Sequence, residues 1–328
     1  MAEVTESFLR DQLVARQEKL QSAITLSPRA EGLMQLLKEV DSALERMEAG
    51  TYGLCGACHE PIEKDRLLAN PLVCYCLDHL TFDQQRALEQ DLEMAARVQR
   101  ELLPKQDLSF AGWQTSYHYE PAGPVSGDYC DLVIHENESQ GLFFALGDVS
   151  GKGVAASMLM AHLHAIFRTL IATGLPVHEL LERASRIFCE STMSTLFATL
   201  VCGRAGISGE VEVCNAGHCP ALLLRREEVI RIESTGVPLG MFCAGHYSPQ
   251  KMRLAPGDTL FLYSDGLSEA RSATDEEYGE GRLTQVLMQG HSLPPRALIQ
   301  ACIEDVAAFR SGAPLADDLT VMAVHRVA

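Results

Sequence analysis

The chain has 328 residues, 47% of them hydrophobic and 22% charged, which is enough apolar material for a sizeable core and favours about two domains. Acidic residues outnumber basic ones by 44 to 27, for a formal net charge of -17. That balance speaks against a general nucleic-acid binder, which needs clustered Lys and Arg for phosphate contacts. No run of about 18 or more apolar residues offers a membrane span, and the acid-bearing N-terminus has no apolar core of a secretory signal. The expectation is therefore a cytoplasmic protein, free of membrane and nucleic acid, whose eleven cysteines are reduced thiols.

Two helical patterns open the chain. The first runs through Phe8, Leu9, Leu13, Leu20 and Ile24, and the second through Leu33, Leu36, Leu37, Val40, Leu44 and Met47. Ser27-Pro28 fits a helix cap followed by proline at the first helical position, and Gly50 offers a stop. These features predict a helical hairpin. Residues 51–80 then turn rich in Cys, Gly and Pro. From Thr81 to Leu103 a third helical pattern carries Leu88, Leu92, Ala95, Val98 and Leu102 on one face, and Pro104 ends it.

From Trp113 onward short apolar runs alternate with glycine turns. Strands are predicted at 115–119, 129–134, 142–146, 199–203, 211–214, 221–224, 259–263 and 319–324, with helices near 154–173, 176–193, 280–290 and 294–310. Strands outnumber helices and many neighbours are joined by short turns. The fold class that follows is α+β, with antiparallel sheets and helices packed outside.

Cys55-Gly-Ala-Cys58 is followed, after 17 residues, by Cys76-Leu-Asp-His79. Zinc takes four N or S ligands in a tetrahedron, and two short chelating pairs supply them. Cys74 competes for one position. A site closed by four ligands is structural. The stretch Ala43-Leu44-Glu45-Arg46-Met47-Glu48-Ala49-Gly50-Thr51-Tyr52-Gly53-Leu54-Cys55, with Pro61-Ile62, Arg66-Leu67, Ala69 and Pro71, resembles the DksA/TraR family of zinc-finger proteins. The resemblance covers roughly residues 30 to 80. It implies one structural Zn²⁺ on Cys55, Cys58, Cys76 and His79, leaving Cys74 outside. Members of that family bind RNA polymerase through a hairpin with an acidic tip. Here the tip, Thr25-Leu26-Ser27-Pro28-Arg29, has no acid. RNA polymerase binding is the partner of an alternative reading, a transcription modulator with a phosphatase-like sensor domain. Thiolate ligands can also be oxidised, so a redox sensor is a third use of the module.

Four aspartate clusters stand beside apolar strands: Ser126-Gly127-Asp128, Gly147-Asp148-Val149-Ser150-Gly151, Tyr263-Ser264-Asp265-Gly266 and Ala316-Asp317-Asp318-Leu319-Thr320. Singly, each reads as a turn. Together, carboxylates held at buried strand ends repel one another and call for hard divalent cations, which accept oxygen ligands and activate water for attack on phosphorus.

These segments, with Ala96-Arg97-Val98-Gln99-Arg100-Glu101-Leu102-Leu103-Pro104, Asn215-Ala216-Gly217-His218-Cys219-Pro220 and Pro238-Leu239-Gly240, resemble the PPM-type serine/threonine phosphatases of the bacterial subgroup that includes the stage II sporulation phosphatase and sigma-factor stress regulators. The match covers residues 95 to 326 in the family's order. The resemblance implies a two-layered β-sandwich flanked by helices. It also implies two Mn²⁺ or Mg²⁺ ions held by Asp128, Asp148, Asp265 and Asp317, with the Val149 carbonyl contributing. Asp318 is the second choice of its pair. The implied substrate is a phosphoserine or phosphothreonine on an anti-sigma-factor antagonist. Departures are Ser126 for a glycine, Cys130 for an aromatic and Lys152 for a histidine.

The division expected is 1–80 for hairpin and zinc finger, 81–104 for a connecting helix and 105–328 for the phosphatase domain. The Leu88, Leu92, Val98 and Leu102 stripe is either a homodimer seam or the helix's contact with its own domain. His218 is read as holding its turn, His162 and His164 as packed or solvated, and Cys189, Cys202, Cys214 and Cys243 as core filler.

Overall fold

The computed structural model describes residues 2–26, 31–80, 82–135 and 141–327. Packing divides the chain into two units, Met1–Gln90 and Asp91–Ala328.

In the first unit α1 (Ala2–Leu26) and α2 (Glu31–Glu48) form the helical hairpin. The period of 3.6 puts Leu13 and Leu20 against Val40 and Ala43, all buried, and Gln17 Nε2 donates to Asp41 Oδ1 at 2.6 Å across the pair. The Ser27-Pro28 cap lies outside the described residues. α2 stops before Gly50, whose φ of 68° favours glycine, and the chain turns back through Thr51 N donating to Arg46 O. α3 (Lys64–Ala69) and a single 3₁₀ turn, Leu77–His79, complete the cysteine-rich segment. α4 (Phe82–Leu102) is continuous, and the boundary between units falls inside it.

The second unit continues with β1 (Asp107–Phe110), β2 (Trp113–Glu120), β3 (Asp128–Ile134), β4 (Leu142–Val149), α5 (Gly153–Ile171) and α6 (Val177–Ser191). Then come β5 (Ala198–Ala205), β6 (Glu210–Ala216), β7 (Ala221–Arg225), β8 (Glu228–Ile232), β9 (Gln250–Arg253) and β10 (Thr259–Tyr263). α7 (Asp265–Ser268), α8 (Gly279–Gln289), α9 (Pro295–Arg310) and β11 (Leu319–Arg326) end it. One sheet has the order β1-β2-β11-β10-β7-β8 and the other β3-β4-β5-β6-β9, with every pairing antiparallel.

Alternation along the strands shows why the sheets stack as they do. In β4, Leu142, Phe144 and Leu146 enter the apolar layer shared with Leu260, Leu262 and Met322 of the other sheet. The intervening Phe143 and Ala145 pack beneath α5 and α6 with Phe167, Leu181 and Phe188. β10 repeats the pattern, with Phe261 and Tyr263 facing Leu283, Leu298 and Cys302 of α8 and α9. Both faces of these strands are buried, so they read as continuous apolar runs. The result is the expected α+β sandwich flanked by helices.

α5 is long and apolar enough to cross a membrane by length and composition. Seven of its residues, from Ala156 to Ile171, are buried within this layer, which makes it a core helix here.

Two cysteine readings need correction. Cys189, half-buried near the end of α6, and Cys243, exposed in the β8–β9 connection, are bonded in a disulfide with Cα atoms 5.3 Å apart. Neither is core filler nor a free thiol. Cys202 and Cys214 are buried free thiols, as expected.

Candidate active site

The site lies where the two sheets end together. Asp128 opens β3 and Asp148 stands next to last in β4, and the register pairs them directly, Asp128 opposite Asp148. On the other sheet, β10 ends at Tyr263 and Asp265 begins α7, while Asp317 and Asp318 precede β11. Ser264 laces these two ends together: its N donates to Thr320 O at 2.8 Å, and its Oγ accepts from Thr320 N at 2.9 Å. Gly266 is required here, since a Cβ would sit 2.0 Å from the Asp318 carbonyl oxygen.

Contacts between the sheets draw the four segments to one place. Thr320 Oγ1 donates to Asp128 Oδ2 across the sandwich. Asp318 accepts Ala122 N at Oδ1 and Gly127 N at Oδ2, each at 2.8 Å, so its carboxylate holds the loop that carries Asp128. Both oxygens of Asp318, the second choice of its pair for metal, are thus engaged by backbone N–H groups.

The same loop is held from the other side by Gln99 of α4. Its Nε2 donates to Ser126 O at 2.6 Å and its Oε1 accepts from Ser126 N at 3.0 Å, and Gln99 is buried. Nothing in composition or periodicity singles out Gln99. Its only signal is the Arg-Val-Gln within the motif shared with the resembling family.

The charges are under strain. Burial pushes the Asp148 carboxyl up to about 7, helped by repulsion from Asp265, Asp317 and Asp318. Burial also raises Asp128 well above the carboxylate range, with Asp148 and Asp318 adding repulsion, and Asp265 rises through burial and Asp317. Repulsion thus links Asp148 to Asp265, Asp317 and Asp318, and Asp128 to Asp148 and Asp318. Val149, next to Asp148, is buried and paired with Ala198 of β5. Hard oxygen donors that destabilise one another fit divalent cations such as Mn²⁺ or Mg²⁺.

His218 is buried in the Asn215–Pro220 turn, where Asn215 Oδ1 accepts its N–H at 2.8 Å. Burial lowers its pKa to about 4, keeping it neutral, and its Nδ1 lies 2.8 Å from the Oγ1 of Thr199, the residue opposite Asp148. It thus supports the strand beside the carboxylates. His162 meets Ser191 Oγ at 2.7 Å on the exposed face of α5. His164 lies near the buried Asp131, to which Arg168 Nη2 donates at 2.7 Å. A cavity of about 710 Å³ beside Arg204, Glu212 and Lys251 is lined by none of the site carboxylates.

In the first unit Cys55, Cys58, Cys76 and His79 bring their ligand atoms within 4.8 Å of one another. Cys58 Sγ lies 3.8 Å from Cys76 Sγ, which is 3.3 Å from His79 Nδ1. Cys74 points elsewhere, its thiol donating to Leu72 O at 3.3 Å. Although burial opposes it, backbone N–H groups of Cys58, Cys76 and Ala57 lower Cys55 to about 6, while burial and its neighbours raise Cys76 to about 11. Three sulfur atoms clustered with an imidazole are a donor set that suits tetrahedral Zn²⁺.

Comparison with known proteins decides the family. The family model described as stage II sporulation protein E (SpoIIE) matches residues 138–327, more than half of the chain. This chain belongs to the SpoIIE family. Among its relatives, Protein IcfG of Synechocystis sp. is 28% identical over 265 residues, covering 72% of this chain and 41% of IcfG. The chain thus spans less than half of that relative. Phosphoserine phosphatase RsbU of Bacillus subtilis is 24% identical over 245 residues, covering 74% of this chain and 72% of RsbU. The SiaA-PP2C domain of Pseudomonas aeruginosa superposes with a TM-score of 0.65 at 20% identity, covering 74% of this chain and 98% of that domain, a likeness of fold. The SpoIIE match includes Asp148, Asp265 and Asp317 but begins after Asp128 and Gln99.

Proposed function

We propose that this SpoIIE-family chain is a PPM-type phosphoprotein phosphatase that hydrolyses phosphoserine or phosphothreonine on an anti-sigma-factor antagonist. The observation that carries the reading is that Asp128 pairs with Asp148 at the end of one sheet while Thr320 and Asp318, beside Asp317 on the other, bond to Asp128 and to the loop before it. The name of the relative RsbU supports the substrate class.

Asp128, Asp148, Asp265 and Asp317, with the Val149 carbonyl, would hold two Mn²⁺ or Mg²⁺ ions. When bound, such ions supply Lewis acidity that makes water nucleophilic and steadies phosphoryl oxygens. The chain's own residues give that chemistry fixed geometry. Thr320 aims Asp128 by donating to it, and Asp318 and Gln99 clamp the segment before Asp128. Neutral His218 props Thr199 behind Asp148. No cysteine or serine nucleophile is needed.

The experiment is phosphate release from a phosphoserine-bearing antagonist protein by the full chain. The reading expects turnover with Mn²⁺ or Mg²⁺, none with EDTA, and recovery on re-addition. If neither phosphoserine nor phosphothreonine proteins yield phosphate with either metal, it is wrong.

The zinc-bearing unit is proposed to control activity, with one structural Zn²⁺ on Cys55, Cys58, Cys76 and His79. α4 is proposed as a homodimer seam, because Leu88, Met94 and Val98 remain exposed along it, 41%, 56% and 56% respectively. Leu88→Asp with Leu92→Asp should then sediment as a monomer with altered basal turnover; unchanged mass and rate reject the seam.

A further inference from the structure

Lys152 lies in the turn between β4 and α5, flanked by Gly151 at φ 103° and Gly153 at φ 68°. A Cβ built on either glycine meets nothing within 4 Å, so the turn borders open space. The Lys152 Nζ donates to Asp317 Oδ2 at 2.8 Å and to Ala316 O at 3.0 Å, while its side chain stays 70% exposed. Its charge also acts on Asp148 and Asp265. The ammonium therefore sits at the open rim of the carboxylate centre.

Charge balance gives it a task. Five carboxylates, Asp128, Asp148, Asp265, Asp317 and Asp318, carry five formal negative charges. Two divalent ions return four. A phosphate monoester near neutral pH brings roughly two more negative charges to a centre that is still negative. One ammonium at the rim cancels the remainder, where an approaching phosphate would meet it. An ion pair this exposed contributes little to stability. Lysine is a compact point charge on a flexible stem, able to leave Asp317 for a phosphoryl oxygen without moving the backbone.

We propose that Lys152 is the phosphate-binding cation of this site. It contacts a phosphoryl oxygen of the phosphoserine or phosphothreonine substrate and of the phosphate product. The assignment rests on the phosphatase reading above.

The test compares wild type, Lys152→Met and Lys152→Arg in the full chain. Inorganic phosphate is titrated calorimetrically at saturating Mg²⁺, and Mn²⁺ affinity is measured separately by electron paramagnetic resonance without phosphate. Lys152→Met should weaken phosphate binding about tenfold and raise KM more than it lowers kcat. Its Mn²⁺ affinity should hold or tighten, because a nearby cation has gone. Lys152→Arg should restore most phosphate affinity. Unchanged phosphate affinity in Lys152→Met overturns the assignment. So does a Mn²⁺ affinity that falls in step with phosphate affinity, which would make Lys152 a positioning residue for Asp317. Should wild type bind phosphate through Lys152 yet release none from phosphoproteins, the proposed reaction fails while the anion site stands.

Discussion

Asp148→Asn abolishes metal-dependent phosphate release, by roughly 10³-fold or more, and at the same time stabilises the metal-free protein. The first effect follows from removing one charged oxygen ligand from a centre expected to supply several kcal/mol of transition-state stabilisation. The second follows from linkage. The Asp148 carboxyl rises from an ordinary 3.8 to about 7, first by burial and then by repulsion from Asp265, Asp317 and Asp318. Between these values the folded chain holds a proton that the unfolded chain has lost. Stability of the metal-free protein therefore falls as pH rises from about 4 to about 7, on the order of a few kcal/mol for this group. Asparagine has no charge to bury, so that loss disappears and the variant melts higher at pH 7. The same linkage acts on the metal. Below pH 7 an ion must displace a proton from Asp148, so its apparent affinity weakens about tenfold per pH unit. Calorimetric melting at pH 5 and 7, with and without Mn²⁺, reads both effects. If Asp148→Asn melts like wild type in the absence of metal at pH 7, Asp148 is not the strained group described here.

Gln99→Ala strikes from α4. The variant leaves the Ser126 N–H and carbonyl without their partner in a buried setting. Each such group costs about 1–3 kcal/mol, so a loss of roughly 2–6 kcal/mol is expected. The loop it frees leads directly into Gly127 and Asp128, so the metal site loosens as well. Partners that orient ligands are worth about 10–100-fold in metal affinity, and the half-saturating Mn²⁺ concentration should rise within that range. That second readout separates the account from a purely structural one. A destabilised Gln99→Ala that binds Mn²⁺ as wild type does would mean that α4 is not coupled to the Asp128 loop.

Much of the sandwich is legible because its central strands are buried on both faces. Leu260-Phe261-Leu262-Tyr263 and Leu142-Phe143-Phe144-Ala145-Leu146 announce themselves as apolar runs, and the strands observed there extend or match the predicted spans. β1, β8 and β9 escaped prediction for the converse reason. They lie at or beside sheet edges, are four or five residues long and are partly exposed, as Glu228-Val229-Ile230-Arg231-Ile232 illustrates. Edge strands that carry charge give little periodic contrast. α3 and α7, of six and four residues, are too short for a helical period to register.

At the site, the aspartates were legible as residues but not as a geometry. Apolar strands ending in Asp mark where carboxylates are anchored. Only the antiparallel register sets Asp128 opposite Asp148 and brings Asp317 to Asp265. Gln99, Thr320 and Lys152 act through contacts that span 27 to 192 positions of chain, beyond the reach of any local pattern. The Cys189–Cys243 bond joins residues 54 apart. A reduced-compartment expectation, drawn from the absence of a signal segment, hid it. The zinc cluster was the more readable case because its ligands come in two short chelating pairs, and spacing alone carries the geometry.

The account depends most on a shared centre for divalent ions between the two sheet ends. Crystals of the full chain grown with Mn²⁺ and measured at the manganese absorption edge test it directly. The result expected is two anomalous peaks among Asp128, Asp148, Asp265 and Asp317, at oxygen distances of about 2.1 Å. Saturating Mn²⁺ with no peak among those carboxylates, or Asp148 and Asp265 turned to separate surfaces, would contradict it.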